Sequence, residues 1–216
     1  MSLTDANIAG RRTRIKICGI TRLEDLRAAV DLGIDALGFV FYPPSPRFLD
    51  NDRAAALVQA VPPSVTTIGL FVNAAPALVE RVLTAVPLQM LQFHGEEDAA
   101  YCRQFKRPYL KAARVRPGID LLEYAALFPD AQGLLLDAYV DEYGGVGRTF
   151  DWELIPPGLP LPLMLSGGLD ADNVVAAIRS VKPWAVDVSS GVESGKGIKD
   201  AAKMAEFISG VRSADA

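Results

Sequence analysis

Hydrophobic positions along the chain gather into short, mostly apolar runs. Longer stretches lie between them, in which apolar residues recur every three or four positions. The runs are Arg14–Cys18, Ala36–Phe41, Thr67–Val72, Gln89–Phe93, Tyr109–Ala113, Gly133–Leu136, Leu161–Leu165 and Ala185–Val188. They are apolar on both faces rather than alternating, the pattern of strands buried on both sides in a parallel sheet. After the first run, Leu23, Leu26, Ala29, Val30 and Leu32 fall at helical spacing. Ala54–Val61, Ala77–Val86, Glu97–Phe105, Asp120–Phe128, Asp172–Val181 and Lys199–Val211 read as helices in the same way. The sixth interval breaks the pattern. Between Ala138 and Pro160 stand Gly144, Gly145, Gly147, Pro156 and Pro157, which leave a long loop and room only for a short helix near Trp152–Ile155.

Eight strand-then-helix units in this length predict a single (β/α)8 TIM barrel, compact and with a reduced sixth helix. A doubly wound open sheet also alternates strands and helices. It has fewer strands at this length, and no G-x-G-x-x-G follows the first run. Residues 1–13 read as a flexible N-terminal extension and residues 14–216 as the barrel.

Composition narrows the function. The 216 residues are 50% hydrophobic and 22% charged, which excludes disorder as the main state. A net charge of -4 argues against nucleic acid as a partner, and an anionic ligand must be held by local groups. No apolar run reaches the ~20 residues of a membrane span, and the first twelve residues lack a signal peptide's apolar core. A cytoplasmic protein with no membrane partner is expected. Cys18 and Cys102 do not make a disulfide scaffold, and a single histidine, His94, leaves little for a metal centre. Neither metal nor cofactor is expected.

Active sites of such barrels sit where the strands end. Cys18 closes the first strand, where a cysteine is either a small buried hydrophobe or a reactive thiol. Cys102, inside a helical segment, reads as the former. Arg47 ends the proline-stiffened loop Tyr42-Pro43-Pro44-Ser45-Pro46. Its planar fork suits a carboxylate or phosphate, or it is a solvated surface arginine. His94 follows the fourth strand as an acid, a base, a neutral donor or a structural ring. Asp137 follows three leucines, a costly place for a carboxyl unless it is used; it is a general acid or a cap. Gly144-Gly145-Val146-Gly147 is a candidate closing loop. Gly167 and Gly168 follow strand seven, and Ser189, Ser190 and Gly191 follow strand eight. Barrels often bind phosphate at these two places, although such pairs also mark plain turns.

Seven segments, spanning nearly the whole chain in order, resemble phosphoribosylanthranilate isomerase of tryptophan biosynthesis. They are KICGIT (Lys16–Thr21), LGFVFYPPSPR (Leu37–Arg47), GLFVN (Gly69–Asn73), LQFHGEE (Leu91–Glu97), LLLDAY (Leu134–Tyr139), LSGGLDADNV (Leu165–Val174) and VDVSSGVESGKGIKD (Val186–Asp200). SGGL alone is shared by other sugar-phosphate barrels; KICG with LGFxFxxxSPR and DxSSGVE is far more specific. The resemblance implies an isomerase that works on a small phosphoribosyl substrate without a cofactor, as a monomer or homodimer. It assigns Cys18 as general base and Asp137 as general acid. Arg47 is assigned to the anthranilate carboxylate and the two glycine turns to the phosphate; His94, from its place after the fourth strand, is expected to bind the substrate. Lys16 is expected either to favour the thiolate or to point out into the helix layer. Two other readings stay open: the related isomerase of histidine biosynthesis, and a barrel that binds a phosphosugar without turning it over.

Overall fold

The computed structural model describes residues 12–138 and 149–216. Eight strands close into a barrel: β1 (Arg14–Cys18), β2 (Ala36–Val40), β3 (Thr66–Phe71), β4 (Met90–Phe93), β5 (Tyr109–Val115), β6 (Gly133–Ala138), β7 (Leu163–Leu165) and β8 (Ala185–Val188). Each pairs in parallel with the next, and β8 returns to β1, so the ring has no open edge. The helices outside it are α1 (Leu23–Asp31), α2 (Asn51–Gln59), α3 (Pro76–Ala85), α4 (Ala99–Arg103), α5 (Leu121–Ala126), α6 (Val174–Val181) and α7 (Ala201–Asp215). Between β6 and β7 the described residues hold only a 3-10 turn, Trp152–Leu154, as the prolines and glycines of that interval require.

Aspartates start four of the helices. Asp50, Asp98, Asp120 and Asp200 each accept hydrogen bonds from backbone N–H groups of the first turn. Each cap replaces a bond the helix cannot make for itself and contributes about 1 kcal/mol.

Alternation along each strand divides the core in two. Ile15 and Ile17 of β1 face the helices, in one cluster with Leu26, Phe207 and Ile208. Ala36, Ile68, Leu110, Leu135, Met164 and Ala185 face inward and fill the lower half of the barrel. The inward set changes character toward the carboxyl ends of the strands. Lys16 and Cys18 share a face of β1, as do Leu135 and Asp137 on β6, and Ala185 and Asp187 on β8. Gln92 lies two positions after Met90 on β4. The floor of the barrel is thus apolar and its upper end polar, which puts the chemistry at one mouth.

Two features depart from the sequence reading, and a third settles an alternative it left open. Strand β6 runs on through Asp137 and Ala138, so Asp137 stands within a strand rather than after it. Lys199 does not begin the last helix. It lies in a small antiparallel hairpin, β9 (Glu193–Gly195) with β10 (Ile198–Lys199), that the apolar pattern does not announce because it is too short. Lys16 points into the barrel and not toward the helices. At the N-terminal side, Thr13 donates from both its N–H and its hydroxyl to Asp215, each at 2.7 Å, and Arg12 pairs with Asp35. These two residues of the expected extension are held by the barrel; residues 1–11 lie outside the described residues.

Candidate active site

The polar mouth is built from three groups of residues. The first surrounds Cys18. Its side chain is buried at the inner end of β1, beside Lys16, whose ammonium donates to Asp187 Oδ1 at 2.8 Å and lies on the thiol's side of Gly38. Ser189, in the turn after β8, donates its hydroxyl to the Cys18 carbonyl at 3.0 Å, tying that turn to the thiol's own backbone. Burial pushes the Cys18 thiol above its ordinary value, and Lys16 works in the opposite direction.

The second group surrounds Asp137. Its Oδ1 accepts the N–H of Ala138 at 2.8 Å, and its Oδ2 lies 3.0 Å from His94 Nε2. Gln92 Nε2 lies 2.9 Å from His94 Nδ1. The ring thus bridges the Gln92 amide and the Asp137 carboxyl. The histidine thereby fixes one carboxyl oxygen. Gly167 lies against the same carboxyl: a Cβ there would stand 2.9 Å from Asp137 Oδ1 and 2.6 Å from the Ala138 nitrogen.

The third group holds Arg47. Its Nε and Nη2 donate to the two carboxylate oxygens of Glu193 at 2.7 and 2.8 Å, a bidentate pair inside the protein. Lys199 Nζ reaches the same carboxylate at 2.8 Å and the Ser189 carbonyl at 3.0 Å. The hairpin thus carries Glu193 and Lys199 across to the loop after β2. Thr21 anchors it from the loop after β1, donating to the Gly197 carbonyl at 2.5 Å. Two of the five guanidinium donors go to Glu193, which leaves donors for one more anion. Gly19, at φ +77°, passes so close to Arg47 Cδ that no side chain fits between them.

The pairing holds the Glu193 carboxyl below the ordinary range despite burial, which alone would raise it. A lowered folded pKa gives stability that is complete above the unfolded value and lost as pH falls through the folded one. Relative to Glu193→Gln, the wild type is expected to lose its advantage as pH drops below about 4.3. Urea unfolding of both proteins from neutral to acid pH measures this; a gap independent of pH would contradict it.

The turns after β7 and β8 meet. Gly167 and Gly168 take φ of +85° and +63°, which side chains rarely adopt. Gly191 seats directly on the Leu169 carbonyl, so the 3-10 turn Ser190–Val192 packs on the β7 turn. Among the described residues, no three His, Cys, Asp or Glu side chains stand together as metal ligands. No helix there is long and apolar enough to cross a membrane.

Comparison with known proteins decides the family. The model of N-(5'-phosphoribosyl)anthranilate isomerase matches residues 15–210. The chain belongs to the phosphoribosylanthranilate isomerase family. The family member of that name from Dechloromonas aromatica is 64% identical over 204 residues, 94% of this chain and 98% of the relative. The crystal structure of phosphoribosyl anthranilate isomerase from Thermotoga maritima has a TM-score of 0.85 and 43% identity, covering 93% of this chain and 99% of that one. A phosphoribosyl anthranilate isomerase solved with reduced 1-(o-carboxyphenylamino)-1-deoxyribulose 5-phosphate gives 0.81 and 40%, with the same coverage. Membership sets aside the histidine-pathway isomerase and the non-catalytic binder.

Every residue that the isomerase resemblance singles out lies at this mouth. Cys18, Asp137, Gly167, Gly168, Ser189, Ser190 and Gly191 are where the strand ends predict them. Two are engaged differently than expected. Arg47 is buried against Glu193 rather than free, and His94 bonds Asp137. The sequence reading missed Gln92, Asp187, Glu193 and Lys199. Parity along the strands points to the first two, since Gln92 lies two residues before His94, and Asp187 lies two residues before Ser189. Gly144–Gly147 lies outside the described residues.

Proposed function

We propose that this barrel converts N-(5'-phosphoribosyl)anthranilate to 1-(2-carboxyphenylamino)-1-deoxyribulose 5-phosphate with Asp137 as general acid and Cys18 as general base. The supporting observation is that both point inward at the carboxyl ends of β6 and β1, the end that carries the paired glycine turns of β7 and β8. Those turns take the phosphate. The donors of Arg47 that Glu193 leaves open take the anthranilate carboxylate.

The chemistry requires these groups and their order. An acid protonates the furanose oxygen, the C1–O bond breaks, and the nitrogen lone pair forms an iminium. That cation acidifies the C2 hydrogen, which the base removes. The released electron pair forms the C1–C2 double bond of an enolamine, which ketonises by gaining a proton at C1 and losing one from the C2 hydroxyl. Hydrogen moves within one molecule, so the net reaction consumes no oxidant or reductant. His94 and the Ala138 N–H keep the Asp137 carboxyl from rotating away from the ring oxygen. Glu193 fixes the plane of Arg47 in the same sense, and pre-set donors lose less entropy when the substrate arrives.

Loss of the fluorescence of the anthranilate-derived substrate follows the reaction directly. Steady turnover by the purified protein is expected, and none would overturn the assignment. In that assay Arg47→Ala is expected to raise KM at least about tenfold, the cost of one charge-assisted contact. An unchanged kcat/KM would remove Arg47 from the substrate.

A further inference from the structure

Strand register fixes the surroundings of Cys18. Cys18 lies beside Gly38 of β2, and Lys16 lies beside Asp187 of β8. Lys16 is 1% exposed, Cys18 5% and Asp187 4%. A Cβ at position 38 would stand 2.7 Å from Cys18 Sγ and 3.2 Å from Lys16 Nζ. Ammonium and sulfur therefore share a space that any other residue at 38 would fill. A lysine wholly inside a barrel is expensive, and a well-packed apolar pair commonly stabilises as well as a buried ion pair does. Stability alone does not account for Lys16; its place beside the thiol gives it a task.

We infer that Lys16 is a positioning residue whose ammonium, held by Asp187 and admitted by Gly38, favours the thiolate form of Cys18 that takes the C2 proton. The inference rests on Cys18 being the base. As the S–H bond forms, the C2–H bond breaks and its electron pair neutralises the iminium. Lys16 keeps its own protons throughout and supplies only charge. The charged groups around the sulfur come from several elements. Lys16 of β1, Lys199 of β10 and Arg47 of the loop after β2 favour the thiolate, and Asp187 of β8 opposes it. Lys16 offsets burial more than any other group, and Asp187 keeps it protonated.

The thiol's titration in the ligand-free protein tests this, read by ultraviolet absorbance of the thiolate and by alkylation rate against pH. A Cys102→Ser background removes the other thiol, which burial pushes up to about 12. Lys16→Met is expected to raise the midpoint by at least about one unit, a tenfold loss of thiolate near neutrality. The acidic limb of kcat/KM should move up with it. Lys16→Met leaves Asp187 buried without its partner, so Lys16→Met/Asp187→Leu provides a folded protein that lacks both charges, with the same rise expected. A midpoint that stays put or falls in the folded double variant overturns the inference, since a purely structural Lys16 changes Tm and not the titration. Wild-type turnover by Cys18→Ala would instead sink the base reading, and with it the task assigned to the lysine.

Discussion

Cys18→Ala and Asp137→Asn are each expected to lower kcat by about 100- to 10,000-fold, the usual worth of one positioned acid or base. KM should change little, because neither side chain is assigned to the phosphate or the carboxylate. A fall in kcat and kcat/KM together marks a contact made only in the transition state. Both variants should fold. Alanine at 18 removes one atom from a packed site, and asparagine at 137 keeps the shape and an acceptor for His94. Steady-state kinetics with circular dichroism as a control decides the matter. Near wild-type kcat in either folded variant would strip that residue of its role. Equal losses in the single and double variants would mean that the two act in one coupled step.

The glycines of the two meeting turns should separate binding from chemistry. In Gly191→Ala the new Cβ lands on the Leu169 carbonyl and forces the β7 and β8 turns apart. Overpacking of this kind costs about 1–3 kcal/mol. The expected result is a KM raised at least about tenfold, with weaker inhibition by inorganic phosphate. Gly167→Ala has two faults: a φ of +85° and a Cβ 2.9 Å from Asp137 Oδ1. The carboxyl must yield, so kcat should fall along with the rise in KM. If both variants changed KM alone, the β7 turn would be uncoupled from the acid. Wild-type constants in Gly191→Ala would place the phosphate elsewhere.

The barrel was readable because closure demands a strict rhythm of buried strands and amphipathic helices, and the chain keeps it nearly throughout. Where it lapses, between Ala138 and Leu163, the described residues hold only the 3-10 turn Trp152–Leu154. The two residues proposed as base and acid could be singled out as well, since Cys18 and Asp137 both stand where apolar runs end, and a carboxyl there is costly. Their supports could not. Glu193 and Lys199 sit in a hairpin too short to show any alternation, and the partner of Glu193 lies 146 residues away in the chain. Only the closed ring brings Arg47 next to it. Lys16 looked ambiguous because a lysine in a buried strand suggests an exit to solvent. Its spacing of two from Cys18 already requires the same face, and that spacing outweighs the usual preference of lysine for water.

The bond from Thr13 to Asp215 knots the first strand to the last helix at the foot of the barrel, the face away from the chemistry. The backbone is thereby a near-cycle whose seam lies far from the mouth. A circular permutant that links Asp215 to Thr13 there and opens a peptide bond in an exterior turn would keep every strand neighbour it now has. For the same reason, the chain enters the barrel at Thr13 and leaves it after Asp215 on the face away from the substrate's entrance.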